Sequence, residues 1–174
     1  MNIQHKRILK GHRGPINYIK FTNDGNYCMT AGEDKKLILY NPYKDDLNQS
    51  NNMNYINTNI TNTNTSTNHI NSISNTNALV IKEYTGIHGY GILSFAIASD
   101  NNKFASVGYD KTCFLWDVST GNIIRKFQQH TQRINTVALN AENSLCFTGS
   151  YDKSVCVWDI RAYHSYTPVQ SLNE

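Results

Sequence analysis

The sequence predicts an all-β protein built from repeated units of four antiparallel strands. Three observations lead there. Short apolar runs recur every 8 to 12 residues between turn residues, as strands do. One residue pattern occurs three times along the chain. Within each copy, the polar residues keep a constant spacing.

The copies read LKGHRGPINYIKFTNDGNYCMTAGEDKKLILYN from Leu9, YTGIHGYGILSFAIASDNNKFASVGYDKTCFLWD from Tyr84, and FQQHTQRINTVALNAENSLCFTGSYDKSVCVWD from Phe127. His12 and Asp34 are 22 positions apart, as are His88 and Asp110, and His130 and Asp152. Six positions after each Asp stands an aromatic residue: Tyr40, Trp116 and Trp158. Four positions before each Asp stands a hydroxyl: Thr30, Ser106 and Thr148.

The elements follow in order. Ile3–Leu9 is an outer strand ahead of the first unit, expected to belong to the last unit of a closed ring. The first unit spans 11–84. Its Asn23-Asp24-Gly25-Asn26 is a hairpin turn, because Asp-Gly tolerates positive φ. Its fourth strand is Ala78–Tyr84, the counterpart of Asn122–Gln128 in the second unit (85–128) and of Pro168–Leu172 in the third (129–174). The third unit also shows runs at Ile134–Leu139, Leu145–Thr148 and Val155–Trp158, with turns at Asn140–Asn143 and Ser150–Lys153.

Four strands per unit, at the 42-residue interval from His88 to His130, resemble the WD40-repeat β-propeller superfamily. Within it, DGNYCMTAGEDKKLILYNP, WDVSTGNIIRKFQQHTQRINTVALN and VCVWDIRAYHSYTPVQSLNE resemble the mitogen-activated protein kinase organizer family. The resemblance implies a partial, three-blade propeller, where that family has seven blades. The chain is therefore expected to be the N-terminal part of a longer protein, a truncated gene model, or a chain that needs a partner.

The resemblance also implies a buried hydrogen-bond network in each blade: His88, Ser106, Asp110 and Trp116 in the second, and His130, Thr148, Asp152 and Trp158 in the third. The first has His12, Thr30 and Asp34, with Tyr40 in place of Trp. Simple chemistry agrees. One His nitrogen donates to the carboxylate while the other accepts from the hydroxyl, and a fully satisfied buried network stiffens a fold. A protease triad is excluded because the trio repeats three times, without a G-x-S-x-G elbow.

Between Tyr40 and Ala78 the spacing breaks. His12 to His88 is 34 positions longer than the repeat interval. In Asn48–Asn77, Asn occurs 12 times, Thr 6 and Ser 4. Such a tract buries too little apolar surface to offset its ordering entropy. The segment 44–77 is expected to be a disordered loop. It reads as a neutral expansion, a spacer or a partner tether.

Composition narrows the function. A net charge of +3 is too small to indicate nucleic acid, and no stacking module accompanies it, which argues against direct nucleic-acid binding. Lys6, Arg7 and Lys10 precede no apolar run, so no signal peptide and no membrane span are expected. Cys28, Cys113, Cys146 and Cys156 form no C-x-x-C pair and read as buried free thiols in a reducing compartment. No catalytic residues, cofactor, metal or small-molecule substrate are expected. Partners are expected to be proteins.

Two candidate interaction sites remain. Loops flanking the repeat His and Asp line one face of a propeller, bringing Arg13, Glu33, Tyr90, Tyr109, Arg133 and Tyr151 together; Tyr and Arg are enriched in interface hot spots. Trp158-Asp159-Ile160-Arg161 resembles the W-D-x-R box of cullin-RING ubiquitin-ligase substrate receptors, whose Arg contacts the adaptor. The resemblance to the organizer family implies a scaffold for MAP-kinase components and for spliceosomal proteins, in cytoplasm and nucleus. The alternative is a ligase substrate receptor acting through Arg161.

Overall fold

The computed structural model describes residues 7–45, 76–162 and 167–173. Every element in them is a strand. The strands are β1 (Arg7–Ile8), β2 (Ile16–Phe21), β3 (Cys28–Gly32), β4 (Leu37–Asp45), β5 (Thr76–Tyr84), β6 (Ile92–Ile97), β7 (Lys103–Gly108), β8 (Cys113–Asp117), β9 (Ile123–Phe127), β10 (Ile134–Leu139), β11 (Leu145–Ser150), β12 (Ser154–Asp159) and β13 (Gln170–Asn173).

They form three sheets in chain order, and each repeat is an antiparallel meander: β2-β3-β4-β5, β6-β7-β8-β9 and β10-β11-β12-β13. The chain is thus an all-β, partial propeller with four-stranded antiparallel blades. The inner hairpin of each sheet carries a register irregularity at the same place, after Ile16, Ile92 and Ile134. Such bulges increase local twist.

The outer edges depart from the sequence reading. Arg7–Ile8 pairs in parallel with Thr76–Asn77 and becomes a fifth strand of the first sheet. The outer strand of that sheet otherwise offers unpaired backbone groups, which any nearby extended segment can take. The expected disorder of the Asn-rich tract lies outside the described residues for 46–75. At its two ends, Lys44 and Asp45 belong to β4, and Thr76 and Asn77 to β5. The last strand starts at Gln170 rather than at Pro168, because proline has no N–H for the ladder.

The core sits between sheets. Met29, Leu37 and Tyr84 of the first sheet pack on Phe95, Phe104 and Trp116 of the second. Val107, Leu115 and Phe127 of the second pack on Ile134, Cys146 and Trp158 of the third. β3 and β8 are buried along nearly their whole length, which is why CMTAG and CFLW read as near-continuous apolar runs. Burying one such side chain contributes about 1.5–3 kcal/mol. The Cys113 and Cys146 thiols meet at 4.0 Å across the second layer, and all four cysteines are free and buried.

Candidate functional site

Each sheet holds one His-hydroxyl-Asp chain. In the second, His88 Nδ1–H donates to Asp110 Oδ2 at 2.6 Å, and Ser106 Oγ–H donates to His88 Nε2 at 2.7 Å. The Trp116 indole N–H then donates to Ser106 Oγ at 2.8 Å. This assignment of protons gives the imidazole, the hydroxyl and the indole their partners, while Asp110 Oδ1 is buried without one. The third sheet repeats it: His130 to Asp152 at 2.9 Å, Thr148 to His130 at 2.9 Å, and Trp158 to Thr148 at 2.9 Å. In the first sheet His12 reaches Asp34 at 2.8 Å and Thr30 at 2.7 Å. Tyr40 is buried where the indoles stand, and its hydroxyl makes no hydrogen bond of ordinary geometry.

The geometry closes these hydroxyls to chemistry. Ser106 and Thr148 are fully buried and already engaged by an indole and an imidazole. A nucleophile needs a reachable oxygen beside its base; here the base and the hydroxyl are both consumed inside the sheet.

In the first and third sheets the carboxylate also holds the loop that precedes the first strand. The Arg13 N–H donates to Asp34 Oδ2 at 2.9 Å, and the Thr131 N–H to Asp152 Oδ2 at 2.9 Å. Burial pushes the Asp152 carboxyl up, but hydrogen bonds from Ser154, the Thr131 N–H and His130 outweigh it, leaving it well below the usual range. Asp34 is likewise lowered against its burial by the Arg13 N–H and His12.

These anchors build a rim. The N–H groups of Glu33, Tyr109 and Tyr151 donate to the carbonyls of Pro15, Gly91 and Arg133 at 2.9, 3.2 and 3.0 Å. The contact is close: a Cβ added to Gly108 would meet the Gly91 oxygen at 2.3 Å. On the rim the Arg133 guanidinium lies over two tyrosine rings, 4.6 Å from the centre of Tyr151 and 5.8 Å from that of Tyr109 on the preceding sheet. Glu33 accepts from Asn17 at 2.9 Å and packs over Gly91, next to the exposed Tyr90. Arg13 is exposed on the same rim.

Three residues of this rim escaped the sequence reading. Lys35, Lys111 and Lys153 each adopt positive φ, at 66°, 60° and 68°, in the turn after the repeat Asp. Lys35 lies 6.0 Å from the centre of the Tyr90 ring. The signal was present as Asp-Lys at one offset in all three units. Arg161 lies apart from the rest, at the opposite end of β12. It is exposed, 3.7 Å from Asp159, and lines a groove with Lys103, Ile123 and Lys126.

Comparison with known proteins agrees with this architecture. Residues 3–41, 80–117 and 121–159 match the model of the WD domain, G-beta repeat. The chain is 30% identical to the WD repeat domain-containing protein 83 homolog of Dictyostelium discoideum, covering 100% of this chain and 43% of that protein. It is 24% identical to the U5 small nuclear ribonucleoprotein 40 kDa protein of the same organism, covering 88% and 34%. The solved structure of U3-55K superposes with a TM-score of 0.70 at 18% identity, over 97% of this chain and 42% of that one. The chain thus spans less than half the length of these relatives.

Proposed function

The chain belongs to the WD domain, G-beta repeat family, and from that premise we propose that it is a non-catalytic platform that binds other proteins through its Tyr-Arg-Lys rim. The observation that carries this is the Arg133 guanidinium stacked on Tyr109 and Tyr151. The stack bridges two sheets, and both rings remain exposed. Rigid aromatic rings and a fixed guanidinium lose little conformational freedom on binding, which favours them as anchors. With Lys111 beside Arg133 and Tyr151, and Arg13, Lys35 and Lys153 exposed on the loops that flank the repeat Asp residues, the rim favours a partner surface rich in carboxylates or phosphates.

The partners we propose are MAP-kinase cascade components and splicing factors, in cytoplasm and nucleus. The likeness to the organizer family supports the first, and the 24% identity to a U5 small nuclear ribonucleoprotein component supports the second. Affinity purification of the tagged chain with quantitative mass spectrometry tests it: kinases or spliceosomal proteins are enriched over a tag-only control. Enrichment of neither class contradicts the assignment.

A second reading rests on Arg161. Its exposed guanidinium beside Lys103 and Lys126 is free to meet a ligase adaptor. Recovery of a cullin-RING adaptor with the wild-type chain, lost on Arg161→Ala, would favour this reading over the scaffold.

A further inference from the structure

The second and third sheets leave a groove between them, at the end of the strands away from the rim. It encloses about 640 Å³, within the size range of ligand-binding clefts. The described residues that line it include four cations, Lys103, Arg125, Lys126 and Arg161, and no carboxylate. Ile123, Ile124 and Ile160 supply its apolar surface.

The repeat shows which of these charges the fold itself uses. Arg125 corresponds to Lys82 of the first sheet, because they pair with Leu115 and Leu39 at one register. Both reach across to the following sheet. The Arg125 guanidinium donates to the Asp159 carbonyl at 2.8 Å and to the Ala162 carbonyl, and the Lys82 ammonium donates to the Ser119 carbonyl. A cation at this position therefore ties one sheet to the next. The apolar positions are kept as well: Val80, Ile81 and Val118 answer to Ile123, Ile124 and Ile160.

The other three cations have no such counterparts. Lys103 precedes the Phe104–Trp116 pair, where Tyr27 precedes Cys28–Tyr40. Lys126 pairs with Phe114, where Glu83 pairs with Ile38 and is held by Lys36 at 2.7 Å. Arg161 stands three positions after Trp158, where Ser119 follows Trp116. The fold leaves these charges largely unspent. Lys103 makes no ion pair among the described residues, and Lys126 is exposed, 5.9 Å from the centre of the Phe114 ring. The Arg161 side chain is 70% exposed and 3.7 Å from Asp159. The carboxylates at the ends of β12 and β8 face their own turns: Asp159 accepts from the Arg161 N–H at 2.8 Å, and Asp117 from the Thr120 N–H at 2.8 Å. Like charges gathered around one hollow raise its positive potential and attract an anionic partner.

We propose that this groove binds an extended acidic segment of a partner protein. Its carboxylates meet Lys103, Lys126 and Arg161, and an apolar side chain rests on Ile123, Ile124 and Ile160. Cations set around an isoleucine lining fit a segment that alternates charged and apolar side chains, which an extended chain points to opposite sides. Single-stranded nucleic acid is held by aromatic stacking, and no aromatic residue lines the groove. Arg125, held by two carbonyls of the next sheet, fixes the lining before a ligand arrives, which lowers the ordering cost of binding. The site is separate from the Tyr-Arg rim and gives the platform a second place for a partner.

Fluorescence anisotropy of the folded 174-residue chain with labelled peptides tests this. The probe alternates Glu and Leu; one control alternates Lys and Leu, and the other Glu and Ser. The Glu-Leu peptide should bind saturably and more weakly as salt rises. The Lys-Leu peptide should not bind, and the Glu-Ser peptide should bind at least about tenfold more weakly, for want of a buried leucine. Lys103→Glu/Lys126→Glu should weaken Glu-Leu binding by at least about tenfold, and Lys103→Gln/Lys126→Gln by less, in the same direction. Tyr109→Ala/Tyr151→Ala should leave it unchanged, so the result stands apart from the fate of the rim. Far-UV circular dichroism verifies the folding of each variant. Wild type without saturable binding, equal affinity for the Glu-Leu and Glu-Ser peptides, undiminished binding by the folded lysine variants, or a loss confined to the rim variant would each overturn the proposal.

Discussion

The indole N–H of Trp116 donates to the Ser106 hydroxyl at 2.8 Å, and through it the tryptophan joins the His88–Asp110 pair. Neither residue touches solvent to any useful degree. The link joins two neighbouring strands, because Ser106 sits in β7 and Trp116 in β8. Ser106→Ala strands the indole N–H and the imidazole Nε2 together. It should cost about 2–4 kcal/mol, since each unsatisfied buried group costs about 1–3 kcal/mol. Urea denaturation followed by tryptophan fluorescence measures the loss.

The first sheet predicts the opposite response. The buried Tyr40 hydroxyl has Thr30 as its neighbour but makes no hydrogen bond of ordinary geometry, so Tyr40→Phe gives up at most a weak contact. It should leave stability unchanged or raise it by up to about 1 kcal/mol. Trp158→Phe removes both an indole donor and buried volume from the third sheet, and should destabilise by about 2 kcal/mol or more. The same denaturation series compares them.

Acid should weaken the fold through the network carboxylates. Asp152 has a folded pKa below its unfolded value, so on acidification the unfolded chain takes up the proton first. The stability it contributes is complete above the usual carboxylate range and drains away as pH falls below about 4. Asp117, lowered to about 2 mainly by the Thr120 N–H, adds to the same acid limb. Asp152→Asn should be less stable than wild type at pH 7, and the gap should close toward pH 2. Melting temperatures across that interval read the difference.

The rim depends on a close backbone approach. A Cβ at Gly108 meets the Gly91 carbonyl oxygen, in the turn that presents Tyr109. Gly108→Ala should cost about 1–3 kcal/mol through the forced backbone shift and should loosen the Tyr109–Arg133 stack. Ser150 occupies the same position in the third sheet and turns its hydroxyl onto the Arg133 carbonyl at 2.9 Å, whereas a Cβ at Gly32 of the first sheet would meet the Pro15 oxygen at 2.8 Å, so the penalty belongs to the first two sheets.

The repeat spacing made the strands, the sheet order and the His-hydroxyl-Asp pairings legible, because a fixed register converts constant offsets into constant contacts. His12, His88 and His130 all reach the Asp found 22 positions later. What spacing could not carry was contact between units. The stacking of Arg133 on Tyr109 depends on how two sheets meet. The left-handed turns at Lys35, Lys111 and Lys153 went unread because lysine rarely signals positive φ. The pairing of Arg7–Ile8 with Thr76–Asn77 was hidden for another reason: edge pairing is chosen by proximity, and two residues carry no pattern.

The rim itself is tested most directly by capture with a double variant. Wild type, Tyr109→Ala/Tyr151→Ala and Arg161→Ala are compared as baits, with partners quantified by mass spectrometry and bait folding verified by circular dichroism. The double variant removes both rings that flank Arg133 and should lose at least about tenfold of the captured protein partners, which is about 1.4 kcal/mol of binding. Arg161→Ala, at the far end of the sheets, should keep them. Undiminished capture by the folded double variant would contradict the assignment of this rim as the binding face.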